Sequence, residues 1–136
     1  SLEYSMSKFY SQIEAKQRFT AIENICSEAL IGVSCDGIIQ SWNRAAEQIY
    51  EYSQDEILAR PLDALWPREA LHEAKTLWNT LRNAQSVYDI EATHQNSRDE
   101  TFHVLLNATP VCDANGEMTG AVVGVRDCSQ QDHHLR

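Results

Sequence analysis

Apolar and polar positions follow two rhythms along this 136-residue chain, one of three to four residues and one of two. Residues 3 to 28 hold no Pro or Gly, and Phe9, Ile13, Phe19, Ile22, Ile25 and Cys26 recur at mostly helical steps. The stripe falters at Lys16 and Thr20, so no clean heptad forms. The helix so predicted either packs on its own domain or pairs with a partner chain. From Ala29 the texture changes. "ALIGVSCDGIIQSWN" contains two short β-rich runs around Cys35, Asp36 and Gly37, and Asp-Gly between apolar runs is a strong hairpin signal. "RAAEQIYEY" then reads as helix. Ser53 with Glu56 three residues on is a capping-box pattern opening "QDEILA", which Pro61 closes. "LDALW" is a further helical turn, stopped by Pro67. "REALHEAKTLWNTLRNA" is the clearest helix, with Leu71, Ala74, Leu77, Trp78 and Leu81 on one face.

Three strands complete the pattern. "SVYDIEATHQ" alternates, and the polar turn "NSRD" separates it from "TFHVLLNATPVCD". Asp113, Ala114, Asn115 and Gly116 form a second hairpin turn, with Gly116 suited to positive φ. "MTGAVVGVRDCS" is the last strand, and its two glycines suit close backbone approach. Strands segregated from helices in this order predict an α+β fold: a five-stranded antiparallel sheet with helices on one face, plus an N-terminal helix. The division expected is residues 1–28 as a linking or dimerising helix, 29–129 as the domain and 130–136 as the start of a connector.

Composition narrows the function. The net charge is −9, and no basic stripe exists to neutralise phosphates, so nucleic acid is not an expected partner. The same charge argues against docking on an anionic membrane, and no apolar run approaches the roughly 18 residues a spanning helix needs. Cys26, Cys35, Cys112 and Cys128 are scattered, with no C-x-x-C pair, and are read as reduced thiols of a cytoplasmic protein. The chain starts at Ser1 and is expected to be a piece of a longer protein.

The motifs, taken in order, resemble the PAS domain family over about residues 20 to 129. The carrying residues are Asp36-Gly37 with Ile39, then Asn43, Ala45, Ala46 and Glu47, then Tyr52, Ser53 and Glu56-Ile57, the turn at Gly116, and Asp127. Family members commonly read D-G-x-I, N-x-A-A-E and G-Y-S-x-E-E-I-x-G, and end on Asp-Ile-Thr. Here the last triplet is Asp127-Cys128-Ser129. Glu51 and Ala59 stand where many members have Gly. Asn43 is expected to cap the helix that follows it, Trp42 to cover a sheet edge or face, and Asp127 to act as a structural acceptor.

No catalytic constellation is visible: the chain has no G-x-S-x-G, phosphate loop or H-E-x-x-H. His94 and His103 flank the "NSRD" turn on neighbouring strands and are read as a possible facing pair on the surface, with metal binding the lesser alternative. His133 and His134 lie in the polar tail. The resemblance bears on cofactors as well. Covalent flavin chemistry in the family needs a cysteine that "RPLDALWPREA" lacks; haem needs a histidine late in the long helix, where "TLWNTLRNA" has none, and His72 comes too early. A coumarate thioester would need a cysteine in the helical middle. What stays open is a noncovalent small ligand, or none, between sheet and helices. The residues expected to line that pocket are Ile90, Ala92, Leu106, Ala108, Val123 and Val125, with Leu77 and Leu81 from the long helix. Alternatively they fill the core completely.

The resemblance implies a non-catalytic sensory or dimerising module of a larger signalling protein, with a fused output domain such as a histidine kinase or a cyclic-dinucleotide enzyme. A homodimer through residues 3 to 28 is the expected assembly. The alternative is a ligand-free module that binds other proteins through its outer sheet face. A redox role for Cys112 or Cys128 is a weaker idea.

Overall fold

Asp36 and Gly37 reverse the chain between the first two strands, and everything downstream is arranged around that hairpin. The computed structural model describes residues 28–128; the expected N-terminal helix, the connector, Cys26 and the His133-His134 pair lie outside them. Strands β1 (Ala29–Ser34) and β2 (Ile39–Trp42) pair antiparallel. Gly37 takes φ 80 in the turn, a left-handed conformation that costs a glycine nothing.

Asn43 ends β2 and begins α1 (Arg44–Tyr50). Its Oδ1 accepts from Ala46 N at 3.0 Å, the expected cap, and also from Leu30 N at 3.0 Å, while Nδ2 donates to Glu28 O at 3.0 Å. One buried amide thus ties the start of β1 to the start of α1. Trp42, 1% exposed, packs on Tyr50 with ring centroids 5.3 Å apart, and its Nε1 donates to Tyr52 O.

The capping box forms as expected. Ser53 N donates to Glu56 Oε1 at 2.8 Å, and Glu56 N to Ser53 Oγ at 3.3 Å. The helix it opens, α2, is short (Gln54–Ile57), because Leu58 is extended and Ala59 left-handed before Pro61 is reached. Pro61 instead precedes a 3-10 turn at Leu62–Leu65, and Pro67 precedes another at Arg68–Ala70. Helix α3 (Leu71–Arg82) follows, with Ala74, Leu77, Trp78 and Leu81 buried.

Strands β3 (Val87–Gln95), β4 (Thr101–Cys112) and β5 (Met118–Asp127) complete a five-stranded antiparallel sheet in the order β2-β1-β5-β4-β3. Gly116 turns β4 into β5 at φ 81, and Asp113 Oδ1 accepts from Asn115 N and Glu117 N across that turn. A Cβ at Gly120 would come within 2.5 Å of Val33 O, so this glycine permits a close approach of β5 to β1. The core lies between the sheet's inner face and the helices. Ile31, Val33, Val104, Leu106, Val123 and Val125 supply the sheet side; Ile57, Leu62, Leu65 and Leu81 face them.

One expectation fails. His94 and His103 do not face each other: His94 pairs with Phe102, and His103 with Thr93. The loop between the strands is five residues, Asn96 to Glu100, because Asn96 N donates to Glu100 O and Asn96 Oδ1 accepts from the backbone of Arg98 and Glu100. A one-residue change in loop length moves the register and sends the two rings to opposite faces. His103 is exposed and His94 is 1% exposed.

Candidate functional site

The helical face of β3 is set by a bulge. Val87 opposes Ala108 and Ile90 opposes Leu106, so Tyr88 and Asp89 together oppose Asn107. Asp89 takes φ 51, and its N–H donates to Asn107 Oδ1 at 3.0 Å. Val87 and Ile90 therefore both point toward α3. At the other end of β3 the helical layer is clamped to the strand. Glu73 Oε1 on α3 accepts from Thr93 N at 3.0 Å, and Gln95 Nε2 reaches the carbonyls of Ala64 and Trp66.

Between the clamp and the bulge lies a cleft of about 230 Å³. Its floor is Trp66, Leu77, Ala92 and Leu106, all buried. The small side chain of Ala92 leaves the space. Its walls are Glu73, Thr76 and Thr80 on α3 and Val87 and Ile90 on β3, with His72 at the mouth. Glu91 also borders the cleft. It opposes Leu105, whereas its neighbours Ile90 and Ala92 oppose residues of the inner face, so its carboxylate belongs to the outer face and its peptide to the open edge.

Of the eight residues expected to line a pocket, Leu77, Ile90, Ala92 and Leu106 come together on this cleft. Leu81, Ala108, Val123 and Val125 are sealed in the closed core. Glu73, Thr76, Leu77 and Thr80 share one helical strip, so the polar wall was readable from spacing in α3. Val87 and Trp66 were not readable, since a bulge and a 3-10 turn place them.

Beside the cleft floor sits a buried polar pair. The Tyr50 hydroxyl and His94 Nδ1 share a hydrogen bond of 2.6 Å, and the Trp66 ring meets His94 edge-on at 4.3 Å. Burial lowers the His94 pKa to about 3, so the ring is neutral at pH 7. Burial, and after it the Asp127 carboxylate, holds the Tyr50 hydroxyl well above its ordinary value. His94 Nε2 and Trp66 Nε1 have no hydrogen-bond partner among the described residues. A neutral imidazole held by a phenol, with no nucleophile beside it, is a structural strut. Among the described residues no group of three or more His, Cys, Asp or Glu is placed to hold a metal, and Cys35 and Cys112 are free thiols. No helix among the described residues is long and apolar enough to cross a membrane.

The sequence model of the PAS fold matches residues 16–128. No curated protein matches the sequence. Among solved structures, the PAS domain of a protein from Colwellia psychrerythraea superposes with a TM-score of 0.78 at 20% identity, covering 85% of this chain and 98% of that one. The LOV domain of the Erythrobacter litoralis EL346 blue-light activated histidine kinase gives 0.65 at 20% identity, covering 74% and 94%. An RNA-binding Light-Oxygen-Voltage receptor gives 0.75 at 17% identity, but this chain spans only 39% of its length.

Proposed function

We propose, from the premise that this chain belongs to the PAS family, that its sensory role is exercised by taking a small noncovalent ligand into the cleft between α3 and β3. The observation that carries this reading is the cleft itself. It has an apolar floor, a mostly apolar lining with Glu73, Thr76 and Thr80 along one side, and a volume of about 230 Å³ that no side chain fills. Water over so apolar a floor is poorly held, and an apolar group that displaces it gains affinity. The segment performs no catalysis on this reading. It works in the cytoplasm as part of a histidine kinase or cyclic-dinucleotide regulator and dimerises through residues 3 to 28. A ligand acts by binding one arrangement of α3 against the sheet better than another; a tenfold shift needs about 1.4 kcal/mol of differential affinity.

Native mass spectrometry of the purified chain, paired with thermal unfolding in the presence of small-molecule mixtures, tests the reading. The expected result is a retained or added small molecule that raises the melting temperature, lost in Ala92→Leu, which fills the cleft. If no small molecule shifts either protein, the ligand reading fails. The second reading, a protein-binding module, is supported by the outer sheet face, where Val111 and Val122 are 46% and 39% exposed. It predicts that Val122→Asp weakens a partner interaction while Ala92→Leu leaves it intact.

A further inference from the structure

The chemistry of the cleft wall points to a class of ligand, and this step rests on the cleft being the sensory site. Among the described residues no Lys or Arg lines it. The charged side chain facing it is Glu73, whose Oε1 is taken by Thr93 N while no described group is bonded to Oε2. The two threonines of the wall turn their protons away. Thr76 Oγ1 donates to His72 O at 3.0 Å, and Thr80 Oγ1 donates to Thr76 O at 3.1 Å. With those protons committed, neither hydroxyl has a proton to give a ligand, and each can only accept. The Glu91 peptide at the open edge of β3 adds one carbonyl and one N–H. The His72 ring, at the exposed mouth, is the other donor. The lining is mostly apolar; among the described residues its few polar groups are mainly acceptors, and Glu73 is the charged one.

The floor itself is carbon surface: Trp66 lines the cleft, but its Nε1 is fully buried and does not open on it. Size sets the other bound. A dry cavity of about 150 Å³ holds benzene. The volume here, about 230 Å³, suits two fused rings. It is below the roughly 300–1,000 Å³ of sites for larger organic ligands.

We infer that the cleft is selective for small, flat, apolar amines: a one- or two-ring body on Trp66, Leu77 and Leu106, with an ammonium group against Glu73 and the threonine oxygens. Carboxylate- and phosphate-bearing ligands of the same body are turned away, since Glu73 faces them and no cation among the described residues lines the cleft.

Three probes of one ring system separate the ideas: tryptamine, indole and indole-3-acetate, titrated into the full chain by calorimetry at low salt. Tryptamine is expected to bind about tenfold more tightly than indole-3-acetate, with indole between them, and the gap should shrink at high salt. Glu73→Gln keeps an acceptor for Thr93 N and is expected to bring the three affinities within about twofold. Glu117→Gln, an exposed carboxylate at the β4–β5 turn that does not line the cleft, should leave the order unchanged. Equal affinities, or a preference for the acetate, would overturn the amine assignment while leaving the cleft as a ligand site. Binding by none of the three, with no effect of Ala92→Leu on any small-molecule shift, would overturn both.

Discussion

Replacing Ala59 by glycine should make the protein more stable, although it removes a methyl group and loosens the unfolded chain. Ala59 sits at φ 72, where an L side chain meets its own carbonyl, at a cost of about 1–2 kcal/mol. The conformation is held by the edge of β2: Ala59 N donates to Ile39 O at 3.0 Å, and Ile39 N to Arg60 O at 2.9 Å. The residue cannot relax without breaking those bonds. Its side chain is exposed, so no packing is lost. Against the relieved strain stands the extra entropy of glycine in the unfolded state, about 0.4–1 kcal/mol. The net gain is about 0.5–1 kcal/mol, or a rise of about 2–5 °C in melting temperature. Urea denaturation should show a higher midpoint with an unchanged slope. Ala84, also exposed and at φ 59, should respond in the same direction. Glu51→Gly should gain less than Ala59→Gly. It relieves a similar φ of 59, but Glu51 Oε2 accepts from Asn96 Nδ2 and Arg98, both at 2.9 Å. An Ala59→Gly protein that unfolds at lower urea than its parent would refute the strain argument.

Other outcomes follow from the same contacts. Asn43→Ala should cost about 2–4 kcal/mol by urea denaturation, since it removes a cap and leaves Leu30 N and Glu28 O without the bonds they make to it. Asn43→Asp keeps both acceptor bonds but sets a buried carboxylate oxygen against Glu28 O where a donor stood, so it should destabilise as well. His94 is neutral when folded and protonates near pH 6.5 when unfolded, so the unfolded state binds the extra proton as pH falls. Stability present above pH 6.5 should decline by about 1.4 kcal/mol per unit down toward pH 3. Denaturation midpoints between pH 7.5 and 5 should fall less steeply in His94→Phe than in the parent. Removing residues 1 to 27 should convert a dimer to a monomer by light scattering; an unchanged mass would end the dimer proposal.

Local punctuation made most of the fold legible. Asp36-Gly37, Gly116, the Ser53–Glu56 pair and the amide of Asn43 each specify a backbone geometry within a few residues, and each acts as read. The apolar strip of α3 was equally plain, because its period is fixed by the helix. What the sequence hid depends on register. Nothing in "NSRD" announces that Asn96 and Glu100 close a five-residue loop, and that single residue decides which face His94 takes. The bulge at Tyr88–Asp89 is keyed by Asn107, eighteen residues further along the chain, so no local rule could reveal it. Half of the expected pocket residues were therefore placed in sealed interior. Small residues on the correct face do not say where the helix above them lifts away.

The first and last strands lie side by side at the middle of the sheet, with Ala29 opposite Val125. Their antiparallel course makes the chain enter and leave through one narrow doorway. A short peptide splice across that doorway, with a new opening cut at the exposed Asn115–Gly116 bend, should give a circular permutant that keeps every strand pairing. By the same geometry, any twist of the central strand pair carries Ala29 and Val125 together, as two hands on one key.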